Sequence, residues 1–560
     1  MGFVGGPGRG GTECQTGDPR TLETPRGFAP ESPRLCYEPA SNMTQNPFQP
    51  LPPAPVSESA SARARVPDPG SSGMAWFAGL IAIVCFGTVV YLNQVSNASS
   101  STQKAAKAVA TQQSVDLADP VTLASKMVIK LAHLFDSKDQ TTRRAWLGQA
   151  QSPITDPTKR PEVDRVREAI LHAEILKGEE GVREAMRLLD AMEAEFADRP
   201  DRLARRLEED EQRNIDAARE DIAALRRIYA GDAAGLSDDQ RERLKARHGW
   251  FAEVAFTFGR PDSDADRVRL LSGGGPLIAG ILLVVGAGLG AVMGGIGCSI
   301  AMVVLIATGK IRRRFVAPAP GGSFGWEILA AFMLAFLGFK IGASILAVVM
   351  SRTGQLPEWF PYVVLGGQWM VALAIFVPLL RGVRFGEYRK LVGWTAERGV
   401  FREIVAGIFG YLAGLPIVFG ALMVSLLLNF LVHMWSGKDV QPPENPILEL
   451  AGRGDAILLA LLFTLATIWA PLVEETVFRG GAFRAMRAHM GFVLAAIASA
   501  LIFGFMHGYP VQLLGPVIAI GFVFALIREW RGSIIGPIVA HFLNNATILA
   551  IVFLILNAAA

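Results

Sequence analysis

Nine runs of roughly 20 apolar residues, near 74–93, 277–308, 327–350, 361–380, 404–432, 456–473, 491–507, 511–527 and 534–556, constrain this chain more than any other feature. A helix needs about 20 residues to cross the ~30 Å hydrocarbon core of a bilayer. Inside that core every backbone N–H and C=O must be satisfied within the segment, and a helix does so. The expected fold class is therefore all-α, a polytopic transmembrane helical bundle of about nine spans. With 560 residues, 51% hydrophobic and 19% charged, the chain also has room for a globular part.

The loops orient the bundle. Arg63 and Arg65 precede the first run, and Lys310, Arg312, Arg313 and Arg314 follow the second. Arg381, Arg384, Arg389, Lys390, Arg398 and Arg402 follow the fourth, Arg484 and Arg487 the sixth, Arg528 and Arg531 the eighth. Basic loops stay in the cytoplasm. Nine spans with a cytoplasmic N-terminus satisfy this alternation, and residue 95 onward then lies outside. High Ala, Arg and Gly usage suggests a bacterial chain, hence the inner membrane. The runs at 277–308 and 404–432 are long enough to tilt or kink. Gly286, Gly290 and Gly294, spaced by four, suit a close helix crossing.

Residues 1–73 are rich in Pro, Gly, Ser and Thr and lack apolar periodicity, so a disordered tail is expected. Met43 and Met74 are alternative starts, and no signal-peptide pattern stands at the N-terminus. Residues 74–93 read as a membrane anchor. Residues 95–272 read as a soluble, extracytoplasmic helical insert. Within it, 165–176 and 181–196 place apolar residues at i, i+3, i+4 amid dense Glu and Arg. Gly178 and Gly181 punctuate that pair, and 201–229 reads as a long charged helix. The insert suits a tetratricopeptide-like hairpin without an internal repeat, acting as a spacer or as a platform that recruits substrate. Residues 276–400 read as accessory spans and 401–558 as the functional core.

The net charge of +3 points to no nucleic-acid partner. Cys14, Cys36, Cys85 and Cys298 form no Cys-x-x-Cys or Cys/His metal spacing, so they imply neither a disulfide framework nor a structural zinc. The expected partners are the lipid bilayer and a membrane-bound protein or peptide.

Three polar motifs interrupt the last apolar runs: Glu474, Glu475 and Arg479; Phe503 and His507; His541 and Asn545. Ionisable groups at membrane depth are costly, so their coincidence points to function. Glu475 and Arg479 are i, i+4 neighbours suited to an ion pair. Glu474 is turned about 100° away and is free to act on a water molecule. Desolvation by apolar helices would raise its basicity. His507 closes its span one turn after Phe503. His541 and Asn545 share a helix face and offer donors for an oxyanion. Alternatively, Glu474, His507 and His541 supply ligands for a divalent zinc ion. The residues alone leave both chemistries open.

The ordered set EExxxR, FxxxH and HxxxN resembles the CAAX protease and bacteriocin-processing family of intramembrane proteases, over roughly residues 400–556. The resemblance implies that Glu474 activates the attacking water with help from His507. It implies that His541 and Asn545 form the oxyanion site, supported by Glu475, Arg479 and Phe503. It also implies a site within the bilayer, reached from its cytoplasmic half. A metal-free glutamate mechanism is the favoured form, because no HExxH helix supplies a zinc pair.

Other readings have weaker support. Residues 321–325 match GxSxG, but they join a basic loop to an apolar span and not a strand to a helix. A transporter would show two related halves with broken helices. A non-catalytic scaffold or immunity protein that binds peptide or lipid would be expected to lack one of the three acid–base residues, and all are present. The sequence therefore predicts an intramembrane endopeptidase.

Overall fold

The computed structural model describes residues 65–107, 120–135, 139–151, 162–198, 207–351, 357–436 and 455–559. Most of the expected tail, with Met43, Cys14 and Cys36, lies outside the described residues.

The described part of the tail carries structure. Residues 65–71 run extended along the loop that precedes the third apolar run. Ala319 N–H donates to Val66 O at 2.9 Å, and Ser323 N–H to Pro69 O at 2.9 Å. The Arg65 guanidinium reaches Ala488 O, and Asp68 pairs with Arg484 at 2.6 Å, both side chains nearly buried. No apolar periodicity announces this strap, because backbone hydrogen bonds and a single ion pair hold it. Helix α1 (Ser72–Lys107) follows at once.

Among the described residues eight α-helices form the insert: α2 (Pro120–Phe135), α3 (Gln140–Gln151), α4 (Glu162–Leu176), α5 (Gly178–Asp198), α6 (Leu207–Tyr229), α7 (Asp238–His248), α8 (Trp250–Phe256) and α9 (Ala265–Leu271). Ile170, Leu189, Leu225 and Phe251 share one apolar core. Lys177 and Gly178 take φ of 55° and 56°, which breaks the chain between α4 and α5. At Gly181 a Cβ would lie 2.6 Å from Ala173 O, so only glycine permits this crossing. The charges the sequence shows are used inside: Arg267 pairs with Glu174 at 2.7 Å, both buried.

The membrane part comprises α10 (Gly274–Ala307), α11 (Phe324–Ser351), α12 (Phe360–Leu380), α13 (Phe385–Val392), α14 (Val400–Ser436), α15 (Ala456–Arg487), α16 (Phe492–Met506), α17 (Gly515–Arg531) and α18 (Ile535–Ala559). Among the described residues seven helices are long and apolar enough to cross a membrane: α1, α10, α11, α12, α14, α15 and α18. Apolar side chains such as Leu282, Met293, Val303, Phe401 and Leu427 face outward, where lipid is their natural solvent. The chain is an integral, multi-pass membrane protein.

The expected count of about nine includes α16 and α17, which fall just short of the spanning length. Helices α16 and α17 are only about 22 and 26 Å long at 1.5 Å per residue. They form a hairpin that turns back at 507–514. Both orientations agree with the loop charges, since two crossings and one re-entrant hairpin return the chain to the same side.

The basic ends gather at one end of the bundle. Arg487 pairs with Glu529 at 3.1 Å, Arg531 with Glu403 at 2.6 Å, and Arg381 with Glu327. Ser323 of the GxSxG match is fully buried there and donates its hydroxyl to the Glu327 carboxylate in the first turn of α11. The glycine spacing on α10 behaves differently from expectation. Space is open around Gly286, Gly290 and Gly294, whereas a Cβ at Gly295 would lie 2.9 Å from Leu412 O of α14. Pro416 lies within α14, four residues beyond Leu412, and Ser299 donates to Ala413 O at 2.7 Å. A proline at that position leaves a carbonyl one turn back without its helical partner, so this is where a close neighbour helix is favoured.

Candidate functional site

The site is built on an irregular helix. Two π-helical segments, Leu465–Trp469 and Thr476–Ala482, bracket Glu474 and Glu475 on α15. Pro471 has no N–H to give back, and the first wide turn accommodates its ring. Hydroxyls fill the gaps: Thr467 donates to Phe463 O and Thr476 to Leu472 O, each at 2.7 Å. Trp394 Nε1–H in turn donates to Thr476 Oγ1 at 3.0 Å. Such wide turns recur at functional sites because they re-aim side chains. At Gly481 and Gly325 the backbones of α15 and α11 touch, with only 2.5 Å between a Cβ at 325 and Gly481 O.

Glu475 and Arg479 are both 0% exposed, and Arg479 Nη1–H donates to Glu475 Oε1 at 2.9 Å. Arg479 Nη2–H donates to Gly521 O on α17 at 2.7 Å. Its guanidinium lies 4.6 Å from the ring centroid of Phe503 and 5.2 Å from that of Phe524. Buried charge is tolerated when paired and hydrogen-bonded, and aromatic faces add to that here. The same Glu475 Oε1 lies 3.0 Å from His541 Nδ1. On the other edge of the imidazole, His541 Nε2 lies 4.0 Å from Glu474 Oε2. The ring is stacked on Phe524, with centroids 5.0 Å apart and planes 26° apart.

The structure thus joins Glu474, Glu475, Arg479, Phe503 and His541 in one cluster. Glu474 is 17% exposed, while its Oε2 is buried without a hydrogen-bond partner. That leaves one carboxylate oxygen poised beside an imidazole edge. His507 stands apart from the two glutamates. Its Nδ1 lies 2.8 Å from Phe503 O and its ring 4.7 Å from that of Phe503, and it is exposed at the mouth of the α16–α17 turn. If Nδ1–H donates to that carbonyl, Nε2 is left as a free acceptor. Asn545 turns its Nδ2–H to Ala466 O at 2.8 Å, in the first π-helical turn, and accepts from Asn544 at 3.1 Å. One amide hydrogen of Asn545 is therefore committed to the backbone of α15.

Three contributors had no clear mark in the sequence: Gly521, Phe524 and Trp394. A Cβ at Gly521 would stand 2.9 Å from Phe503 Cδ1 and 3.2 Å from Arg479 Nη2, so glycine is what admits the guanidinium. The one available cue was its position three residues before Phe524, on the same face of an apolar helix. Among the described residues, no three His, Cys, Asp or Glu side chains gather closely enough to hold a metal ion.

Apolar spanning helices around a buried carboxylate–guanidinium–imidazole cluster define a membrane protein with a polar site preorganised in its interior. Residues 456–547, which carry all three motifs, match the family model described as Type II CAAX prenyl endopeptidase Rce1-like. The family resemblance read from those motifs therefore holds for this segment. The chain is 26% identical over 142 residues to the membrane-embedded CAAX protease MroQ of Staphylococcus aureus, across 24% of this chain and 53% of that protein. It is 34% identical over 85 residues to the candidate membrane peptidase YdiL of Bacillus subtilis, across 15% of this chain and 34% of the relative. This chain thus spans about half the length of the first relative and a third of the second. No solved structure matches it.

Proposed function

We propose that the protein is an intramembrane endopeptidase that hydrolyses a peptide bond of a membrane-associated substrate by glutamate-activated water. The observation that carries this reading is Glu474 Oε2, buried, unpartnered and 4.0 Å from His541 Nε2. Water placed between them is within reach of a base and of a ring nitrogen. Glu474 takes a proton from that water as its oxygen attacks the carbonyl carbon. The same proton then passes to the amide nitrogen as the C–N bond breaks. A base beside the reacting water contributes about 10²–10⁴-fold to such a reaction.

Glu475 and Arg479 hold His541. An imidazole whose Nδ1 faces a carboxylate is fixed in orientation, and the proposed role places a proton on its Nε2 as well. His541 Nε2–H and the second amide hydrogen of Asn545 stabilise the oxyanion, with His507 assisting at the exposed side. This role asks for about 3–4 kcal/mol per donor. No step runs through a metal.

The basic end of the bundle faces the cytoplasm by the positive-inside rule, which puts the α2–α9 domain outside, where it recruits substrate. The bacterial inner membrane is the proposed location. The test is cleavage of a panel of membrane and prenylated peptides in proteoliposomes by wild type and Glu474→Gln, each with and without a strong chelator. Cleavage lost in the variant and kept under chelation is expected. Cleavage retained by Glu474→Gln removes the mechanism, and loss under chelation replaces it with a metal-dependent one.

A further inference from the structure

The matched segment holds the His507 side chain through Phe503 alone, and the turn that follows it is covered from outside that segment. Helix α16 ends at Met506, and Gly508 then takes φ of 71°, the left-handed conformation that reverses the chain into α17. Irregular backbone at membrane depth persists only where protein covers it. The cover comes from far away in sequence. A Cβ at 508 would lie 3.0 Å from Asn93 Nδ2 and 3.1 Å from Asn93 Cγ, so the Asn93 amide packs directly on the turn.

Asn93 ends a buried stripe on α1 formed by Ala78, Ala82, Cys85 and Val89. It is itself only 7% exposed. Its orientation is set from the other side: Lys340 Nζ of α11 donates to Asn93 Oδ1. An ammonium has no acceptor to offer, so the amide oxygen must face Lys340 and the amide nitrogen must face the turn. Lys340 also stands 5.8 Å from the Phe336 ring centroid, and among the described residues no carboxylate pairs with it. A lysine and an asparagine in apolar spans are costly, and interhelical hydrogen bonding is what such residues supply.

We infer that Asn93, locked by Lys340, is a positioning residue for His507, and that the first span is part of the catalytic apparatus and not merely an anchor. This rests on the endopeptidase reading for the role of His507. The contact through which it acts does not depend on that reading. Because α1 runs unbroken from the strap at 65–71 to Lys107, it mechanically joins the insert side of the bundle to the His507 turn.

Two measurements on the full-length protein in proteoliposomes test the inference. The first is a mutant cycle on peptide cleavage. Asn93→Leu is expected to lower kcat about tenfold or more with KM nearly unchanged, since a displacement of about 1 Å can cost that much. In a His507→Ala background the further effect of Asn93→Leu should vanish. Asn93→Asp, which still accepts from Lys340, should restore most of the rate. An Asn93→Leu loss of equal size in both backgrounds would overturn the inference. The second measurement needs no turnover and separates a failure of this inference from a failure of the protease reading. Site-resolved acylation of His507 by diethylpyrocarbonate should change severalfold in Asn93→Leu, while exposed His489 at the basic end keeps its rate. Equal His507 rates in wild type and variant would also overturn it. Should Asn93→Leu fail to accumulate, Lys340→Met, which leaves Asn93 in place without a donor to its Oδ1, carries the same two measurements.

Discussion

His541 Nδ1 lies 3.0 Å from Glu475 Oε1, the same oxygen that receives Arg479 Nη1–H at 2.9 Å. One carboxylate atom thus serves a guanidinium one turn along its own helix and an imidazole 66 residues away in sequence. Glu475 is the hub on which the imidazole is oriented, and Glu474 on the neighbouring helix position is left without any such duty. The two adjacent glutamates therefore have different jobs, and each should fail differently when changed.

Glu475→Ala should be a folding defect. It strands a fully buried guanidinium, for which one-sided deletion of a buried pair costs on the order of 3–5 kcal/mol. Glu475→Ala with Arg479→Leu removes both charges and should recover much of the thermal stability while leaving cleavage undetectable. Melting curves in detergent or nanodiscs check the first half and the proteoliposome assay the second. A single variant as stable as wild type would show that the pair is not the structural hub described here.

Glu474→Gln should behave in the opposite way. Its Oε2 has no partner to lose, so melting should stay close to wild type. Cleavage should fall by about 10²-fold or more as the base disappears. Loss of stability together with activity would mean that Glu474 is another structural carboxylate.

Gly521→Ala tests the tight approach of α17 to the cluster. The added methyl meets Phe503 and the Arg479 guanidinium, both held from several sides. Overpacking of this kind costs about 1–3 kcal/mol. Because Arg479 must shift, His541 loses its fixed neighbour, and cleavage should drop more than stability does. Unchanged kinetics would sink the view that Arg479 is held in one place by the Gly521 carbonyl.

The legible parts of this protein were those whose physics is local. Span-length apolar runs and basic loops announced the bundle, and the i, i+4 spacing announced the Glu475–Arg479 pair. The link from His541 to Glu475 was beyond reach, because nothing local says which faces of α15 and α18 meet. The glycines of α10 show the same limit: spacing marked Gly286, Gly290 and Gly294, whereas packing chose Gly295 beside Pro416 of α14. Apolarity alone does not give the lengths of α16 and α17, because the turn after His507, where Gly508 takes a φ of 71°, sets where they end. The strap at 65–71 was invisible, since backbone hydrogen bonds have no composition.

The insert should weaken in mild acid while the membrane part does not. His248 is fully buried, with Nε2 3.0 Å from Asp221 Oδ2, yet burial outweighs that carboxylate and pushes the imidazole pKa down. Arg167 and Arg247 push in the same direction. Burial also lowers His172, in spite of Glu168 nearby. In the unfolded chain both would titrate near 6.5. A depressed folded value means that the unfolded state binds protons first as pH falls. The stability from keeping both rings neutral is therefore complete above about pH 6.5 and is lost progressively below it, down to the folded pKa values. Hydrogen–deuterium exchange of the full-length protein at about pH 7.5 and about pH 5, corrected for intrinsic rates, should show α4 to α8 losing protection at the lower pH. The spanning helices serve as the internal reference. His248→Gln, which cannot gain a proton, should blunt the acid effect. Equal protection of α4 to α8 at both pH values would show that these rings are not what limits the domain in acid.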